Sequence, residues 1–165
     1  MRRIALSLFL FCTVNMINSQ NPFFEKYNTP HQTVPFDKIK NEHYEPAMLE
    51  GIKLHEAEIE AIINNHEAPT FANTIVAYEK SGKFLDRVIT VFGNLRSAET
   101  NDDLQKIAQK MIPLLSEHSN NISLNEKLFQ RVKAEKKKKS KLSLTIEQAK
   151  LLDDGCSHFF SDHYF

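Results

Sequence analysis

Apolar residues recur at three- and four-residue spacing along most of this chain, the period of an amphipathic helix with one face turned to a core. Tyr44, Met48, Ile52, His55, Ile59, Ile62 and Ile63 define the first stripe and predict a helix from about Tyr44 to Asn65. Pro46 suits its first turn, where a missing N–H costs little. Pro69-Thr70 then breaks and caps. A second helical region is predicted from Phe71 to about Ser97, with Phe71, Ile75, Tyr78, Leu85, Val88, Ile89, Phe92 and Leu95 available to a core. Ser81-Gly82 in its middle predicts a kink or short break.

Thr100-Asn101-Asp102-Asp103 places capping side chains and negative charge at the next helix start. Leu104, Ile107, Ala108, Met111, Leu114 and Leu115 form the third stripe, which Pro113 should bend. Ser123 and Glu126 have the spacing of a capping box and predict a fourth helix through Leu128, Phe129 and Val132. Thr145 and Gln148 repeat that form and open a fifth. Strand-like alternation is missing, so the expected fold is all-α, built from antiparallel helical hairpins or a bundle.

The segment before these helices reads differently. Residues 21–42 are polar and interrupted by Pro22, Pro30 and Pro35, which predicts an extended arm. Phe23, Phe24, Val34 and Phe36 would pin that arm onto a partner surface. Residues 1–20 have the form of a signal peptide, with Arg2 and Arg3 ahead of an apolar stretch from Ile4 to Val14. That stretch is short of the about 20 apolar residues a membrane-spanning helix needs. Cleavage near Ser19 or Gln20 and export to a bacterial periplasm are the expectation, with an uncleaved anchor as the alternative. A lipoprotein reading would use Cys12, but the bulky Phe11 before it argues against that.

Composition narrows the partners. The chain has 21 basic and 21 acidic residues, and taking away Arg2 and Arg3 leaves 19 basic ones. A mature chain of slight negative charge lacks the global field that collects nucleic acid. No membrane partner is expected after signal cleavage. Cys156 would have no intramolecular partner once Cys12 is removed, so no disulfide framework is available. Helix packing must supply the stability.

Several short segments resemble one family in order and spacing. Val34-Pro35-Phe36-Asp37-Lys38-Ile39 and Glu42-His43-Tyr44-Glu45-Pro46-Ala47 are similar to the N-terminal region of the M3 family of zinc metallopeptidases, in its peptidyl-dipeptidase and oligopeptidase A branch. Ala68-Pro69-Thr70-Phe71, Asn73-Thr74-Ile75 and Glu79-Lys80-Ser81-Gly82 continue the resemblance, as do Ala98-Glu99-Thr100-Asn101, Leu115-Ser116-Glu117-His118, Leu124-Asn125 and Phe129. It runs from about Asn21 to Leu152, so that 43–152 is expected to be an M3-like helical domain. The resemblance implies a helical protein with a deep channel for short peptides, in which zinc is held by two His of an H-E-x-x-H and a later Glu.

That motif places two imidazoles one helical turn apart with a general-base Glu between them, and it occurs nowhere in the 165 residues. No catalytic, cofactor-binding or metal residue is therefore carried over, and the chain alone is expected to hold no zinc. Ala72 stands where the family usually has Glu, and His66 where it often has Pro. From Asp153 to Phe165 the similarity ends, and a frameshift or premature stop is the expected origin of this tail, with a deliberately short accessory protein as the alternative.

The remaining chemistry is sparse. His55-Glu56 imitates half of the zinc motif, but Ile59 stands where the second ligand would be, which favours an amphipathic-helix residue half-buried beside Ile52 and Ile59. Cys156, His158, Asp162 and His163 lack a second ligand pair at zinc-site spacing. Lys133, Lys136 to Lys139 and Lys141 have no interleaved aromatics and read as a solvated helix end. The sequon Asn121-Ile122-Ser123 has no use in a bacterial envelope, and His118 reads as a helix-surface residue. Two function classes follow: the N-terminal part of an exported M3 peptidase acting on short peptides, or a non-catalytic helical module that binds peptides or a partner through exposed apolar faces.

Overall fold

The computed structural model describes residues 21–163, with side chains described through Asp154. The signal-peptide expectation and the side chains of Cys156, His158, Asp162 and His163 lie outside the described residues. The described backbone is helical, without strands. Helix α1 spans Asn41–Ile63. A π-helical turn, Phe71–Val76, runs into the short helix α2, Ala77–Lys80. Then come α3, Lys83–Ala98, α4, Asp102–Ser123, α5, Glu126–Lys138, and α6, Ile146–His163.

Helix α1 is the spine. Against α3 it runs antiparallel, pairing Tyr44 with Phe92 at a ring separation of 5.1 Å and Gly51 with Leu85 further along. Against α4 it runs parallel, because Glu45 pairs with Lys110 and His55 with His118. The apolar stripes converge in two separate clusters. Tyr44, Ala47, Met48, Val88, Val91, Phe92, Leu104, Ala108 and Met111 fill the first. Ile59, Ile62, Ile75, Ile122, Leu128, Phe129, Val132 and Leu152 fill the second. Between Met48 and Ile59 on α1, and between Met111 and Ile122 on α4, lies a waist without a buried member of either cluster, although the half-buried Ile52 and Leu115 pack against the first.

The arm corrects an expectation. Phe23 is fully buried in the first cluster, 5.4 Å from the Tyr44 ring, and Phe24 stacks on Phe84. Asn21 accepts from Phe23 N and donates through Nδ2 to the His43 carbonyl at 2.9 Å. Arg87 lies over the Tyr27 and Phe84 rings and donates to the Phe23 carbonyl at 2.9 Å. The arm thus closes this chain's own core, and two 3₁₀ turns, Pro22–Phe24 and Pro30–Gln32, replace the extended form expected. Val34 packs against the same cluster, and only Phe36, 55% exposed, stays free of it.

Helix boundaries follow the capping chemistry. The first helix starts at Asn41, three residues before the expected Tyr44, which places Pro46 beyond the first turn. At its start the His43 ring accepts the Lys40 N–H through Nδ1 at 3.0 Å. Thr70 and Asn73 cap the π turn reciprocally, at 2.8 and 3.0 Å. Helix α4 continues through Pro113. Both Pro113 and Gln109 are exposed, so water can serve the Gln109 carbonyl that Pro113 leaves without an N–H. The cap of α5 is Asn125, whose side chain accepts from Leu128 N at 3.0 Å, rather than Ser123, which is buried at the end of α4. Thr145 and Gln148 form the reciprocal box expected of them. The backbone of α6 runs without a break from Ile146 past Asp153 to His163.

Candidate functional site

The waist holds a polar chain that crosses three segments. The break after α2 is made by Gly82, whose φ of 72° lies in the left-handed region that side chains disfavour. Glu58 of α1 accepts the Gly82 N–H at 2.7 Å, which fixes the break against α1. A Cβ at position 82 would stand 2.7 to 3.0 Å from three atoms of the His55 ring, so the ring lies directly on the glycine. Beside it, Ser81 Oγ donates to the Tyr78 carbonyl at 2.6 Å and lies 3.2 Å from His55 Nε2. His55 Nδ1 in turn is 3.0 Å from Nε2 of His118 on α4.

Hydrogen counting orients this chain. A serine hydroxyl has one proton. Ser81 spends it on the Tyr78 carbonyl, so Ser81 Oγ accepts from His55 Nε2–H. In the neutral ring Nδ1 of His55 then carries the lone pair, and it accepts from His118 Nε2–H. The last position, His118 Nδ1, is buried without a hydrogen-bond partner, and Glu56 Oε1 stands 3.7 Å away. Burial, reinforced by the neighbouring His118, holds the His55 imidazole below its ordinary value, while Glu58, Asp86 and Glu56 oppose the shift.

His118 is 6% exposed, which corrects its expected place on the helix surface. The half-buried state expected of His55 stands. Ile59, 4% exposed, points into the second cluster where a second zinc ligand would be needed. The two ring nitrogens that face each other are already joined by a hydrogen, and among the described residues no group of three or more His, Cys, Asp or Glu converges as a metal site. The described residues do not fit a zinc centre.

The lysine run is tied down more than expected. Lys138 donates to Glu135, itself 1% exposed, and to the Pro69 carbonyl, and Lys139 pairs with Asp153. Lys133 lies over the Phe129 ring at 5.1 Å. Arg131, which the sequence reading passed over, binds the loop after α1 by donating to the Asn65 carbonyl at 2.9 Å and to Asn73 Oδ1. These contacts lock α5 onto the 64–70 loop. Among the described residues no helix is long and apolar enough to cross a membrane.

Comparison with known proteins finds relatives for most of this helical chain. The chain is 42% identical over 135 residues to the dipeptidyl carboxypeptidase of Salmonella typhimurium, a match covering 82% of this chain and 20% of that protein. It is 40% identical over 137 residues to the dipeptidyl carboxypeptidase of Escherichia coli, again over 20% of that protein. The oligopeptidase A of Salmonella typhimurium is 23% identical over 139 residues. No protein-family model matches the chain. These relatives are peptidases, and the chain belongs with them to the M3 family. It spans about a fifth of the length of the curated relatives it matches.

Proposed function

We propose that the chain is the helical front of an exported M3-type zinc peptidase that hydrolyses short peptides, and that it has no peptidase activity by itself. One observation carries this reading: 42% identity to a dipeptidyl carboxypeptidase, confined to a fifth of that protein. A segment so related contributes wall and packing surface, and the zinc and its ligands belong to other parts of such a protein. Dipeptide release from short peptides is the activity those relatives' name supports. Ile146, 87% exposed, and Leu124, 60% exposed, are apolar positions through which the chain would associate with the rest of a peptidase. Residues 1–20 would direct it to the periplasm.

The purified chain, supplied with zinc and short peptides, should release no dipeptide and should retain no stoichiometric zinc after dialysis. Zinc-dependent hydrolysis by the chain alone would refute the reading. For export, residues 1–20 fused to a phosphatase that works only outside the cytoplasm should give activity. A silent fusion would remove the periplasmic assignment and leave the peptidase reading intact.

A further inference from the structure

We propose that His55 and His118 form a proton-operated latch between α1 and α4, closed by the single hydrogen the two rings share and opened by a proton on His55 Nδ1. The closed state is the one described. His55 Nδ1 is the acceptor for His118 Nε2–H at 3.0 Å, and His55 Nε2 is committed to Ser81. A proton on Nδ1 turns that acceptor into a donor, so two N–H groups face each other and the interhelical bond is lost. The ring cannot turn over to escape, because Gly82 lies against its edge and Ser81 holds its other nitrogen.

The surroundings decide which proton the pair tolerates. From α1, Glu58 is engaged with the Gly82 N–H and Glu56 faces the far nitrogen of His118. From α3, Asp86 contributes its charge at longer range, and from α4 His118 is the facing titratable group. The segment at the break offers only the Ser81 hydroxyl and the Tyr78 carbonyl. None of the three carboxylates bonds to His55. A proton on His118 Nδ1, by contrast, would meet Glu56 and leave the shared hydrogen in place. The pair therefore has one tolerated proton site and one disruptive one.

The position gives the latch its reach. It joins α1 to α4 at the waist between the buried parts of the two apolar clusters, where only the half-buried Ile52 and Leu115 reach in from the first cluster. Burial holds the folded-state value of His55 below the ordinary one. The unfolded chain therefore binds this proton more tightly. Stability from the closed latch is full above the ordinary histidine range, falls as pH drops through that range toward the folded value, and is level below it. One extra proton taken up on unfolding changes the unfolding constant by at most about tenfold per pH unit.

The test is long-range 1H–15N NMR of the imidazoles in the whole chain from pH 8.5 to 5, with urea unfolding over the same range. At pH 8.5 His55 should be the Nε2–H tautomer, and its protonation should shift the resonances of Met111 and Ile122, which flank His118 on α4. The His55→Gln chain should lose the pH dependence that His66→Gln, altered at an exposed position, retains. An Nδ1–H tautomer of His55 at pH 8.5 overturns the latch, as does His55 protonation that leaves the α4 resonances unmoved. Those readings come from the unaltered chain, so they decide the matter even if His55→Gln does not fold. A folded His55→Gln chain whose urea stability keeps the parent's dependence on pH would also overturn it.

Discussion

Adding one methyl group at Gly51 and the same group at Gly93 should move stability in opposite directions. Both residues lie in helices, α1 and α3, where alanine is favoured over glycine by about 1 kcal/mol. A Cβ on Gly93 meets nothing within 4 Å, so Gly93→Ala should gain close to that full amount. A Cβ on Gly51 would stand 2.9 Å from Leu85 Cδ1, 3.1 Å from its Cα and 3.2 Å from its Cβ. The leucine tip can rotate away, but the Cα belongs to the backbone of α3, so the whole helix must retreat by a few tenths of an ångström. Forcing extra volume into a packed core costs about 1–3 kcal/mol, and a clash that backbone must relieve belongs in the upper part of that range, about 2–3 kcal/mol, which outweighs the propensity gain. Gly51→Ala should therefore destabilise by about 1–2 kcal/mol and differ from Gly93→Ala by about 2–3 kcal/mol. Urea unfolding followed by helical circular dichroism, with a shared slope across the series, measures both. A Gly51→Ala chain as stable as the parent would mean that α1 and α3 do not approach as closely as described. The cycle with Leu85→Ala then separates the tip contact from the backbone contact, since coupling should be favourable but incomplete.

Other changes probe the remaining joints. Gly82→Ala has to place a side chain at φ 72°, costing about 1–2 kcal/mol, and also displace the His55 ring. Its unfolding midpoint should fall and the hydrogen shared with His118 should exchange faster, whereas a midpoint equal to the parent's would refute the contact. Asn125→Ala removes the side chain that caps α5 and should cost about 1 kcal/mol in the same urea assay. Leu128→Ala empties a fully buried position of the second cluster and should cost about 2–5 kcal/mol, with a smaller loss arguing that this cluster is loosely filled. Arg131→Ala should speed limited proteolysis within the 64–70 loop, because it unties the Asn65 carbonyl and Asn73.

Most of the helical frame was legible because periodicity and capping are local signals. Of the stripe from Tyr44 to Ile63, Tyr44, Met48, Ile59 and Ile62 are buried and Ile52, His55 and Ile63 half-buried, and Ser81-Gly82 interrupts the second helical region because the glycine takes a conformation that most residues avoid. Where the reading missed, a tertiary contact had overridden a local one. Residues 21–42 carry the prolines of an extended linker, yet Phe23 finds a place beside Tyr44 that no local pattern announces. Ser123 and Glu126 have capping-box spacing, but α4 keeps Ser123 in its last turn, and the cap falls to Asn125. Helix starts are set by whichever neighbouring side chain can reach the free N–H groups, and Ser, Thr, Asn and Asp within two residues of each other compete for that role.

The waist was half legible, and the reason lies in how a polar residue is weighed on an apolar stripe. His55 falls at helical spacing between Ile52 and Ile59 and belongs to the first stripe. The third stripe, carried on from Met111 and Leu115 by the same spacing, passes through His118 and Ile122, so His118 too stands in a core register. A histidine alone in such a register suggests the surface, because an unpaired buried imidazole is costly. Two histidines on two stripes remove that objection, since each can satisfy the other, and nothing in a single helix reveals the pairing. Only the parallel run of α1 and α4 brings the two positions level. Along the same parallel run Met48 and Met111 are the last buried residues of one cluster and Ile59 and Ile122 the first of the other. A polar layer between two cores costs burial that leucines in its place would gain. Retaining histidines at that level makes the contact between α1 and α4 depend on directional bonds and on proton occupancy, a dependence that an all-apolar layer would lack.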